Sequence, residues 1–204
     1  MGRLAQTLGL RGDAQVHKLI GFADGENLVL RYQDMIGCGK TANTSVVHIP
    51  DVLAWHPNIT LENFCDIGRI SYYQTIPGDD QKFDAANQAI SDIGYKYKML
   101  TGASNRTGQG ALMPRLFKKT AKNAKTKSVD INIAVDFLRQ TYSDNYEILF
   151  LLSGDGDYLP LLEEAGRKGK QVWVAAFSKG LSKSIRFAAD EFFDLDKHFF
   201  KTEA

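Results

Sequence analysis

The chain has 204 residues and a formal net charge of +1, which bounds it to one ordinary globular domain whose basic surface, if any, is local. Two cysteines, Cys38 and Cys65, are too few for a disulfide framework and match no zinc spacing, so a reducing, cytoplasmic setting is expected. No run approaches the ~20 apolar residues of a membrane helix, and the start lacks a signal-peptide core and, with Gln6 in the wrong place, a myristoylation pattern.

Residues 1–17 read as a polar arm. Lys18 to Ala23 reads as a short strand ending at Asp24-Gly25-Glu26-Asn27, and Leu28 to Met35 as a helix opening. An acid and Asn27 therefore stand at a strand's carboxyl end. Residues 38–64 read as an insertion over that rim, with a short helix expected at Pro50 to Trp55. Gly39-Lys40-Thr41 is no phosphate loop. Asp34 stands where that motif needs a small residue, and no strand precedes it. Arg69 to Ile76 is β-rich and is expected as the second strand. Asp80 is expected to cap a helix running to Ile93, with Phe83, Ala86, Ala89, Ile90 and Ile93 on one face. Tyr95 to Leu100 is expected as the third strand.

Residues 101–127 carry Arg106, Arg115, Lys118, Lys119, Lys122, Lys125 and Lys127, and no acid lies between Arg106 and Lys127. Such a run is either a solvated loop or helix, or a surface that contacts a phosphate backbone. Ser128 caps the next expected helix, Val129 to Tyr142. Ile131, Ala134, Val135, Leu138 and Tyr142 share one face there, broadened by Ile133 and Phe137. Asp130 falls in its first turn, where a carboxylate also suits the helix dipole. Asp136 lies about 240° round from Asp130, so the two hardly aim at one ion, and it ranks lower.

Ile148 to Leu152 is a continuous apolar run of the kind buried on both faces of a parallel sheet. Ser153-Gly154-Asp155-Gly156-Asp157 interrupts it, and Tyr158 opens a helical segment with Pro160 in its first turn. Two carboxylates at ~4 Å repel by roughly 4 kcal/mol at an effective dielectric of about 20. Either a divalent cation offsets this, or Asp155 caps a helix while Asp157 faces solvent. Gln171 to Phe177 is the fifth expected strand, Ser182 to Ala189 a short helix, and Phe192 to Leu195 an edge strand, followed by a tail at 199–204. The alternation of strands and helices predicts one α/β domain at 18–198, a doubly wound, mostly parallel sheet with helices on both faces.

Asp24, Asp130, Asp155 and Asp157 all fall where strands end or helices begin. Hard oxygen ligands of this kind suit Mg²⁺ or Mn²⁺ and phosphodiester hydrolysis. His17, His48, His56 and His198 form no comparable pattern.

The blocks FADGENL, KSVDINIAVDFL and ILFLLSGDGDYLPLLEEAGRKGKQVWVAAF together resemble the NYN domain, a branch of the PIN-like ribonucleases. The resemblance implies a three-layer αβα fold and an acidic pocket for a divalent metal. It makes Asp24 the first-strand ligand, Asp130 the middle one, and Asp155 and Asp157 the pair after the fourth strand. Asn27, Ser153 and Asp136 match supporting positions. The stretch 38–64 departs from the compact family pattern. The expected function is metal-dependent endonucleolytic cleavage of single-stranded or flexible RNA, with the basic segment gripping phosphates and a homodimer left open. A non-catalytic RNA-binding module is the alternative. A haloacid-dehalogenase-like phosphatase is remote, because Asp24-Gly25-Glu26-Asn27 lacks that family's second aspartate and threonine.

Overall fold

The computed structural model describes residues 16–61, 64–101, 104–119 and 128–201. Six strands form the central sheet: β1 (Lys18–Asp24), β4 (Asp66–Pro77), β7 (Met113–Lys119), β8 (Ile148–Leu152), β9 (Gln171–Ala176) and β10 (Glu191–Asp194). Their spatial order is β10-β9-β8-β1-β4-β7, and all five pairings are parallel. Taken in chain order, the six strands lie 3-2-1-4-5-6, the doubly wound arrangement whose order reverses between β1 and β8. Asp24 ends β1, and Ala23 pairs with Leu152, so Ser153 follows at the same level.

Alternation along the strands divides the interior into two cores. Leu19, Ala23, Phe150, Leu152 and Trp173 face α1 (Gly25–Gly37) on one side. Ile20, Phe22, Leu149, Leu151, Val172 and Val174 face α4 (Ser128–Thr141) and α5 (Leu159–Arg167) on the other. β8 is buried along its whole length, as a strand between two such cores must be.

The stretch 38–64 is not a detached lid. It forms an antiparallel hairpin, β2 (Val47–Ile49) and β3 (Leu53–Trp55), then a one-turn helix, α2 (Asn58–Leu61). The helix expected at Pro50 to Trp55 is therefore this hairpin's turn and second strand. Leu53, Ala54 and Trp55 are wholly buried, and the Ala54 amide donates to the Tyr72 hydroxyl oxygen at 3.1 Å. The turn between β2 and β3 is tied to β4, where Gln74 Nε2 donates to the Val52 carbonyl at 3.2 Å. The expected tail also begins inside the core, since Phe199 and Phe200 are buried and Phe200 bridges to Ala42.

The largest departure from expectation lies between the helix α3 (Asp80–Ser91) and α4. Tyr95 to Leu100 is not the third strand of the main sheet. It belongs to β5 (Gly94–Thr101), which forms a separate antiparallel hairpin with β6 (Ser104–Ala111). The third strand is β7, at the edge beside β4, so the described part of the basic segment is β-structure rather than loop or helix. The hairpin explains its own glycines. Tyr95 faces Gly110 and Tyr97 faces Gly108, and a Cβ at Gly108 would sit 2.2 Å from the Tyr97 ring. Glycine lets each ring lie across the opposite strand.

Two smaller differences concern helices. Asp79, not Asp80, caps α3, accepting from the Lys82 amide at 2.9 Å. In α4 the buried row is Val129, Ile133, Phe137 and Thr141, while Ile131, Val135 and Tyr142 are exposed. The helix carries two apolar rows, and periodicity does not say which turns inward. The buried row includes Phe137, whose ring meets Phe22 at 5.1 Å.

Candidate active site

Asp24 is the residue on which the switch point is built. It is the last residue of β1 and the N-cap of α1, and its side chain is 3% exposed. Its Oδ1 accepts from the Asn27 amide at 3.0 Å. Its Oδ2 accepts from Ser153 Oγ at 3.1 Å and lies 3.2 Å from the Tyr158 hydroxyl. Gly25 allows this tight strand-to-helix entry, because a Cβ there would stand 2.5 Å from the Tyr72 ring and 2.6 Å from the Tyr73 carbonyl oxygen. Every donor around Asp24 is neutral. Burial is the largest influence on its acidity, and with Asp130 nearby it pushes the carboxyl up to about 7 against the lowering effect of the hydrogen bonds.

Tyr158 joins the two central acids. Its hydroxyl lies 3.1 Å from Asp130 Oδ1 as well as 3.2 Å from Asp24 Oδ2. A phenol has one proton to give, so it can donate fully to only one of two carboxylates. The two acids therefore share a single donor, and at any moment one of the two contacts is the weaker. Burial first, then the two carboxylates, pushes the Tyr158 phenol far above its ordinary range, so it stays protonated. Sequence reasoning named Tyr158 only as the start of an apolar segment. The signal for its role was a hydroxyl-bearing aromatic directly after the paired acids.

The loop after β8 completes the frame. Gly154 N–H donates to Asn27 Oδ1 at 3.4 Å, and Asp155 N–H donates to Ser153 Oγ at 3.2 Å. Asn27 and Ser153 thus lock the two strand ends together. Asp155 caps the 3-10 turn Gly156–Tyr158, accepting from the Asp157 amide at 3.0 Å, and Asp157 is exposed. This is the capping arrangement posed as the alternative to a shared cation.

The expected residues therefore divide. Asp24 and Asp130 are brought together, and Asn27 and Ser153 support them. Among the described residues, no three His, Cys, Asp or Glu side chains are placed to hold one metal ion, so a four-carboxylate cage is not formed. The pair nevertheless suits a hard cation. Its donors are oxygens, the two acids lie about one hydroxyl with no salt bridge to either among the described residues, and Mg²⁺ commonly takes only one or two carboxylates with water and substrate phosphate in the remaining positions.

Asp136 stands apart. It accepts from the Tyr73 hydroxyl at 2.9 Å, Arg115 at 3.0 Å and Arg139 at 2.7 Å. Arg115 thus gives one N–H to an ion pair with Asp136. Lys118 pairs with Asp80 and lies 5.8 Å over the Phe83 ring. Arg106 is exposed on β6. Lys122, Lys125 and Lys127 lie outside the described residues, as does the Lys119 side chain.

Fold and site together define a doubly wound α/β domain with a pair of acids bridged by a tyrosine at its switch point. The NYN domain profile matches residues 20–196, and the chain belongs to that family. The family is one of PIN-like nucleases, generally dependent on divalent metal and acting on RNA. The chain is 28% identical over 71 residues to the uncharacterized protein MJ0482 of Methanocaldococcus jannaschii, a match covering 35% of this chain and 30% of that protein. The matched stretch thus spans about 30% of that relative's length. A crystal structure of VPA0982, a Vibrio parahaemolyticus protein of unknown function, shares the fold with a TM-score of 0.58 at 14% identity, over 94% of this chain and 100% of that one. Among the described residues, no helix is long and apolar enough to cross a membrane.

Proposed function

We propose that the chain is a divalent-metal-dependent endoribonuclease that hydrolyses phosphodiester bonds of single-stranded or flexible RNA. The observation that carries this is the Asp24–Tyr158–Asp130 bridge at the switch point, where one neutral hydroxyl stands between two acids. Asp24 and Asp130 would hold Mg²⁺ or Mn²⁺. A bound ion would supply an activated water and charge stabilisation for the leaving oxygen. Ser153 and the Asn27 amide fix the Asp24 carboxylate, and Tyr158 sets its distance from Asp130. Asp155 shapes the turn that carries Tyr158, and Asp157, exposed beside it, is available to orient water or the incoming phosphate. Arg106 and Lys118 are the described cations of the basic segment offered to flanking phosphates.

The test is a cleavage assay on labelled single-stranded RNA with Mn²⁺ or EDTA, for wild type beside Asp130→Asn, whose exposed position spares the core. Wild type should cut with Mn²⁺, stop in EDTA, and lose activity in the variant. RNA left intact with Mn²⁺, but still bound, would favour the non-catalytic module. That alternative has a specific observation behind it, the lack of a third acid placed to share the ion among the described residues.

A further inference from the structure

A second, cationic cleft lies on the α4 side of the sheet, away from the acid pair. It has a volume of about 200 Å³ and is lined by Arg69, Arg115, Arg139, Asp136, Ser71 and Tyr73, with Ile20 and Phe22 among its apolar lining. Three elements build it. Arg69, Ser71 and Tyr73 alternate along β4 onto one face, Arg115 comes from the edge strand β7, and Asp136 and Arg139 come from α4. Tyr73 is 1% exposed and Ser71 6% exposed, so hydroxyls line the inner part while the guanidinium groups stand nearer the mouth.

The charge does not balance. Three guanidinium groups face one carboxylate, which leaves two positive charges in a small cleft. Asp136 takes one N–H from Arg115 and one from Arg139, while each guanidinium has five to give. Arg69 has no ion pair among those the described residues form. Planar, permanently charged forks converging from separate elements match the oxygens of a phosphate. A phosphomonoester carries −1.5 to −2 at neutral pH, which matches the excess, whereas an internal phosphodiester would leave part of it uncompensated.

From this we infer that the cleft between β4, β7 and α4 binds a phosphomonoester group, the terminal phosphate of a nucleic-acid strand. The site itself is independent of the nuclease reading. Only the source of the phosphate rests on it. Asp130 and Asp136 are six residues apart on α4, a rise of about 9 Å along the helix that links the two places.

The experiment measures binding to the full chain in EDTA, where no cutting is read. The probes are inorganic phosphate and one RNA decamer in three forms: 5′-phosphorylated, 3′-phosphorylated, and hydroxyl at both ends. The proteins are wild type, Arg69→Gln and Arg69→Gln/Arg115→Gln. Arg69→Gln breaks no ion pair among those the described residues form, so it keeps the test valid if the double variant fails to fold. A phosphorylated strand should bind about tenfold or more tightly than the hydroxyl strand, with that gain lost in Arg69→Gln. Arg69-sensitive binding of inorganic phosphate with no preference among strands would keep the site and assign it to free phosphate. No Arg69-sensitive response to any phosphate probe overturns the inference. A protein that cuts RNA yet shows no such response loses the cleft alone, and one that binds end phosphate but never cuts loses the nuclease reading alone.

Discussion

Asp24 and Asp136 are the same residue type, each held by a buried tyrosine hydroxyl, yet their surroundings are electrostatic opposites. Asp136 accepts from two guanidinium groups and a phenol, so its counter-charge is built into the fold. Among the described residues Asp24 accepts from an amide and two hydroxyls, and the charged group that acts on it is another acid. A carboxylate supplied with its own cations acts as a joint. One surrounded by neutral donors beside a second carboxylate is short of a cation. The difference separates the two sides of α4 more sharply than distance does.

Breaking the comparison at Asp24 gives the largest effect. Asp24→Asn removes half of the metal-holding pair while keeping an acceptor for the Asn27 amide. Mn²⁺-dependent RNA cleavage should fall by about 10⁴-fold, several kcal/mol of transition-state charge stabilisation. Cleavage within tenfold of wild type would show that Asp24 is no more catalytic than Asp136.

The next effect is one of pH. In EDTA the Asp24 carboxyl ionises near 7 in the folded chain and near 3.8 when unfolded. Between those values the folded chain holds the extra proton, so stability is greatest below about 4, falls as pH rises towards about 7, and levels off above it. The loss amounts to at most roughly 4 kcal/mol. Urea unfolding from pH 4 to 8 should show this component in wild type and lack it in Asp24→Asn. Indistinguishable slopes would mean that Asp24 is not destabilised by its surroundings.

How much of this could be read from the sequence follows from the same contrast. Asp24, Asn27 and Ser153 stand at the ends of apolar strands, and the rule that sites lie beyond carboxyl ends at a switch point locates them without coordinates. Tyr158 was hidden because a tyrosine opening an apolar segment looks like core, which it also is. The order of the third strand was hidden for a different reason. Tyr95 to Leu100 and Met113 to Lys119 are both β-rich, and only tertiary packing decides that the first pairs with a glycine-bearing partner and the second with β4. Helical angle alone separates Asp136 from Asp130. Of the cations of Asp136, Arg139 sits three residues further along α4, where helical spacing alone announces it, while Arg115 comes from a strand edge that no local pattern brings there.

Breaking the comparison at Asp136 should cost stability. Asp136→Ala leaves the buried Tyr73 hydroxyl without its carboxylate acceptor, at a cost of about 1–3 kcal/mol. The guanidinium partners are largely solvated, and their loss adds little. The expected result is a lower urea midpoint, whereas an unchanged midpoint would mean that the joint holds nothing.

The smallest effect belongs to Lys118, and it separates grip from scaffold. Its pairing with Asp80 is between exposed groups, 49% and 81% accessible, so Lys118→Ala should change stability by less than about 0.5 kcal/mol. If Lys118 releases Asp80 to meet a phosphate, the variant should bind RNA more weakly across all sequences. The slope of log affinity against log salt should drop by about 0.7 for a single strand. An unchanged slope would leave Lys118 as a surface ion-pair partner only. A changed slope with unchanged cutting at saturation would place it outside the chemistry, as a cation that brings the strand to the acids without acting on it.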